Sequence, residues 1–65
     1  MNVALLEYEM KKKGVSAQIL CEKIGISRSA FYRKCKGISD FSLAEIKQIV
    51  AFLELGSPMD IFFAN

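Results

Sequence analysis

The sequence predicts an all-α domain, a compact bundle of four to five short helices. Three observations lead there. Apolar residues recur at three- and four-residue spacings along most of the chain. Serines suited to helix N-caps (Ser16, Ser27, Ser42 and Ser57) stand directly ahead of such stretches. Four glycines, Gly14, Gly25, Gly37 and Gly56, follow them, where a left-handed residue commonly closes a helix. No strand-like alternation, internal repeat, low-complexity segment or linker interrupts this pattern.

The first stretch, Asn2 to Lys13, puts Val3, Leu6 and Met10 on one face and Lys11, Lys12 and Lys13 in its last turn. Cations suit that end of the helix dipole, and a solvated lysine run is the simpler reading than a phosphate contact. The second stretch begins at Ser16 and runs to Ile24, with Leu20, Cys21 and Ile24 expected inside. Gly25, Ile26 and the N-cap Ser27 separate it from the third, Arg28 to Lys36, whose buried side carries Phe31 and Cys35. So short a link sets the two helices at a steep angle and prevents an antiparallel hairpin. The fourth stretch, Ser42 to about Leu55, opens with the capping-box pair Ser42 and Glu45. Leu43, Ile46, Ile49 (or Val50) and Leu53 form its expected apolar stripe. The last begins Ser57-Pro58, an N-cap with proline at the first helical position, and Met59 to Phe63 supply one or two turns.

The 65 residues allow one domain, read as spanning 1–65. A domain of this size buries only about 60% of its unfolded surface, so its stability is marginal. Hydrophobic content of 52% favours folding over disorder and leaves apolar groups for a partner surface. No apolar run approaches the ~18 residues of a bilayer span. The N-terminal stretch lacks a signal peptide's basic start and meets Glu7 early, so the expected location is cytoplasmic. Two cysteines do not make a disulfide-stapled fold, and with no histidine and no CxxC pair neither a zinc site nor another cofactor is expected. Both cysteines fall at buried positions and read as inert core thiols. Histidine chemistry and a Gly-rich phosphate loop are missing and the carboxylates are scattered, which argues against an enzyme and a small-molecule substrate.

The net charge is only +2, but its distribution is uneven. Between Ser27 and Gly37 lie Arg28, Arg33, Lys34 and Lys36 with no acid, whereas the remaining five bases face seven acids. One segment therefore carries the whole positive excess.

Residues 16–37 resemble the helix-turn-helix of the lambda-repressor-like family, which includes Cro-type phage repressors and many bacterial regulators. The match rests on the small Cys21, the turning Gly25, the apolar Ile26 and Phe31, and the Gly25-Ile26-Ser27-Arg28-Ser29 run. A helix before this segment and two after it extend the likeness over nearly the whole chain. In two places the chain departs from the family: Ala17 stands where many members carry a glutamine that supports DNA contact, and Cys35 replaces a larger residue.

The resemblance implies a double-stranded DNA ligand, with the third helix in the major groove. Arg28 and Ser29 match base-reading positions, and Tyr32 and Arg33 lie a turn further on. A bidentate arginine–guanine contact is worth about 1–3 kcal/mol of discrimination. Lys34 and Lys36, together with Ser16, Ser39 and Ser42, are expected at phosphates, which set position rather than sequence preference. Ser27 reads as a cap. The implied activity is that of a sequence-specific transcriptional regulator, a phage-type repressor binding a palindromic operator as a homodimer. Phe52, Ile61 and Phe63 are the expected dimer contacts, since the chain's end holds more large apolar groups than a small rim needs. The alternative is a protein-interaction module on the same fold, such as an antirepressor or antitoxin-like subunit with a protein partner. Non-specific nucleic-acid binding is disfavoured by the low net charge.

Overall fold

In the computed structural model, which describes residues 1–63, the expected all-α bundle has five helices. They are α1 (Val3–Lys12), α2 (Ala17–Ile24), α3 (Arg28–Cys35), α4 (Leu43–Leu53) and α5 (Pro58–Phe62). Each of the first four starts at a side-chain cap. Asn2, Ser16, Ser27 and Ser42 accept from the backbone N–H groups of Leu5, Ile19, Ala30 and Glu45 at 3.0, 3.2, 3.0 and 3.1 Å. Ser42 also donates its backbone N–H to the Glu45 carboxylate at 2.8 Å, completing the capping box. Ser57 makes no side-chain cap bond, and α5 instead begins on Pro58.

The first four helices also end alike. A left-handed residue is followed by one whose N–H reaches back five positions: Val15 to Met10, Ile26 to Cys21, Ile38 to Arg33 and Leu55 to Val50. The left-handed residues are Gly14, Gly25 and Gly37, but at the fourth end Glu54, with φ 51°, takes that role in place of the expected Gly56. The cause is packing. Leu55 is drawn into the core, so the chain reverses two residues before the glycine. Lys13 supports that reversal by donating Nζ to the carbonyls of Leu53 and Glu54, the latter at 3.2 Å.

The core consists of Leu6, Met10, Leu20, Cys21, Ile24, Phe31, Ile49, Leu53, Leu55 and Ile61. Burying each large aliphatic group contributes roughly 1.5–3 kcal/mol. Four expected core positions lie further out: Val3, Cys35 and Ile46 are half-buried, and Leu43 in the first turn of α4 is 65% exposed. Ile61 moves the other way. It is 2% exposed and belongs to the monomer's own core, so it is not free to form a dimer contact. Its carbonyl also accepts the Asn2 N–H at 2.6 Å, joining the start of α1 to α5. An edge-to-face chain of Phe31, Phe41 and Phe62, with centroids 5.9 and 5.8 Å apart, links the underside of α3 to α5.

Candidate nucleic-acid interface

The α2–turn–α3 unit is set by contacts within a few residues. The Cys21 carbonyl accepts from the N–H groups of both Gly25 and Ile26, at 2.8 and 3.1 Å. Gly25 has φ 75°, a conformation that costs a residue with a Cβ roughly 1–2 kcal/mol. Ser27 then caps α3, and Phe31 anchors its inner side in the core.

With Phe31 inward, helical spacing fixes what α3 presents outward. Ser29, Arg33 and Lys36 follow at i, i+4 and i+7 and form the crest opposite Phe31. Arg28, Tyr32 and Cys35, at the same spacing, form the slope toward α1. All four residues expected at base edges, Arg28, Ser29, Tyr32 and Arg33, are exposed. Arg28, Ser29, Tyr32 and Lys36 line one cleft of about 680 Å³ together with Phe31 and Cys35 of the same helix, Ala17 of α2, and Val3 and Glu7 of α1. Arg33 lies outside that lining, on the far side of the crest. The Lys36 ammonium stands 4.6 Å above the Tyr32 ring, a cation–π contact that steadies both.

The residues expected at phosphates divide into three groups. Lys36 and Ser39 are exposed. Ser16 and Ser42 spend their oxygens as helix caps, while their hydroxyl protons remain free to donate. Lys34 departs from the expectation. Its ammonium lies 3.2 Å from the Glu45 carboxylate and donates to the Asp40 carbonyl at 2.9 Å, leaving the side chain 16% exposed. It ties α3 to the head of α4. Glu45 is held below its ordinary value first by the Ser42 backbone N–H, against partial burial, and then by Lys34. Among the described residues, Arg28, Arg33 and Lys36 make no ion pair, so their charge is available to a ligand.

Burial pushes the Cys21 thiol up, with Arg28 opposing it. Burial also raises Cys35, and the neighbouring Glu7 and Cys21 add to the effect. Both thiols stay protonated near neutral pH and act as packing groups. Among the described residues, no cluster of three or more His, Cys, Asp or Glu is placed to hold a metal, and no helix is long and apolar enough to cross a membrane.

Sequence reasoning missed the placement of Glu7 in the cleft and the two long-range lysine contacts, of Lys13 and Lys34. Glu7 follows Val3 by four residues, so the pair shares a face of α1. Only the packing of α1 beside α3 brings that face to the cleft.

No curated protein matches the chain, and no solved structure does. The family described as the Cro/C1-type HTH DNA-binding domain, a non-enzymatic family, matches residues 6–63, from the first buried leucine of α1 to the end of α5. The match covers the paired helices, the cleft beside them apart from Val3, and the core that holds them, and on that evidence the chain belongs to the lambda-repressor-like, Cro/C1-type family of helix-turn-helix DNA-binding domains.

Proposed function

We propose that this chain is a sequence-specific transcriptional regulator that inserts α3 into the major groove of double-stranded DNA. In this reading it acts as a phage-type repressor on a palindromic operator. The observation that carries it is the joint exposure of Arg28, Ser29, Tyr32 and Arg33 on one short helix whose opposite side is pinned by Phe31. Arg28 and Arg33 supply forked donors suited to guanine O6 and N7, and Tyr32 supplies a flat ring and a hydroxyl. Lys36, Ser39 and the hydroxyls of Ser16 and Ser42 serve phosphates, which orient the domain without reading sequence.

A homodimer fits this reading, because two copies set two α3 helices one duplex turn apart, about 34–36 Å. With Ile61 inside the core, the proposed contact rests on the half-buried Phe52 and on Phe63, which is 55% exposed. Met59, 65% exposed on the short α5, widens the apolar surface near it. The same apolar residues are what a protein-partner role would use. Capture of a stoichiometric partner, with DNA affinity indifferent to Arg28 and Arg33, would favour that role.

Selection of duplexes from a randomised library by the whole protein tests the proposal. The expected result is enrichment of one short palindrome whose half-sites lie about 10 base pairs apart. Arg28→Ala is then expected to lose about 1–3 kcal/mol against that site and much less against unrelated duplexes. Retention of every sequence equally would contradict it.

A further inference from the structure

The segment from Ser27 to Gly37 contains no acid, but the fold brings one to it. Glu7 of α1 lines the cleft that holds Arg28, Ser29, Tyr32 and Lys36, the slope and crest of α3 proposed to face DNA. It is exposed, and among the described residues it makes no ion pair. Glu9 and Glu45 differ from it in that respect: each has a lysine within 3.7 Å. The reach of Glu7 across the cleft also shows at Cys35, whose thiol its charge helps keep protonated.

We propose that Glu7 is an electrostatic brake on duplex binding, a fixed negative charge inside the cleft of Arg28 and Lys36 that opposes the phosphates of any duplex docked there. This rests on the reading of α3 as the DNA-facing helix. A carboxylate in that position lowers the local positive potential in the free protein and meets the incoming backbone with like charge. Phosphates are the same in all sequences, so the penalty falls equally on selected and unselected DNA. Glu7 therefore sets how tightly the domain holds any duplex and leaves its choice among them to Arg28, Ser29, Tyr32 and Arg33. The interaction crosses solvent, so its size is modest and falls with salt.

The test titrates the full chain against two labelled duplexes of about 20 base pairs, two turns of DNA. One has a random sequence and the other is selected from a randomised library by the wild-type protein. Glu7→Gln is expected to tighten both by about three-fold and Glu7→Lys by about ten-fold at low salt, with the gains shrinking as salt screens them. The ratio between the two duplexes stays constant. Glu54→Gln, an equal charge change outside the cleft, is expected to alter affinity less than about two-fold. Several results would overturn the brake: unchanged affinity in both Glu7 variants, an equal gain from Glu54→Gln, or a Glu7→Gln loss confined to the selected duplex, which would make the carboxylate a base reader. Failure of the wild type to bind any duplex would overturn the interface reading itself and the brake with it. Duplex binding that does not respond to Glu7 would remove the brake alone.

Discussion

The Lys34 ammonium sits 3.2 Å from the Glu45 carboxylate, joining α3, the helix proposed to face DNA, to the capped start of α4. The same lysine donates to the Asp40 carbonyl, so one side chain closes the α3–α4 connection as well. Glu45 in turn receives the Ser42 N–H, and the three residues form one small network. The tilt of α3 against the rest of the domain is therefore fixed from both ends, by Phe31 and the Ser27 cap at one side and by Lys34 at the other.

The network makes stability depend on acid. Glu45 is held below its ordinary value of 4.5, with the Ser42 N–H the largest cause. A carboxyl lowered in the folded state adds stability above its unfolded value, and that stability is lost as pH falls through the folded one. Thermal unfolding followed downward from neutral pH is expected to show a loss beginning in the ordinary carboxylate range. Glu45→Gln should flatten that part of the curve. An unchanged acid limb in the variant would remove Glu45 from this role.

Lys34 and Lys36 are neighbours in the same helix with different assignments, and salt dependence separates them. Lys36→Met is expected to lower the salt slope of duplex binding by about one phosphate contact. Lys34→Met is expected to leave the slope nearly unchanged while costing roughly 1–2 kcal/mol of folding stability, more than an exposed pair because both side chains are mostly covered. Titrations at several salt concentrations, paired with urea unfolding, check both.

Glu54 occupies a left-handed conformation, φ 51°, that a glycine adopts without cost. Glu54→Gly relieves about 1–2 kcal/mol of strain and gives back part of it as unfolded-chain entropy. A net gain of about 0.5–1 kcal/mol is expected in urea unfolding. Lys13→Met acts in the opposite direction, because the carbonyls of Leu53 and Glu54 lose their donor.

Removing the hydroxyl of Ser27 uncaps α3 at the residue next to Arg28. Ser27→Ala is expected to cost about 1 kcal/mol of stability. It should also weaken duplex binding by loosening the first turn that presents Arg28 and Ser29. Amide exchange of Ala30, whose N–H the Ser27 hydroxyl accepts at 3.0 Å, reads the uncapping directly.

What the sequence made legible was local. The caps at Ser16, Ser27 and Ser42, the turn at Gly25 and the inward Phe31 depend on residues a few positions apart, and they appear as expected. The long-range features were not legible. Lys13 and Glu54 lie 41 positions apart, and nothing in either neighbourhood marks the other. Lys34 looked like one more phosphate ligand because Glu45, its partner, reads locally as half of a capping box. Ile61 looked like surplus apolar surface because a five-residue helix shows too little periodicity to separate its buried side from its exposed one. The αL residue moved from Gly56 to Glu54 for a related reason: burial of Leu55 decides where α4 stops, and that burial is a property of the assembled core.

The most direct test of the central claim, that the exposed face of α3 enters a duplex groove, is an amide chemical-shift map of the protein titrated with its selected duplex. The largest changes are expected at Arg28, Ser29, Tyr32 and Arg33, with smaller ones at Lys36 and Ser39. Changes concentrated in α4 and α5, with α3 unmoved, would contradict it.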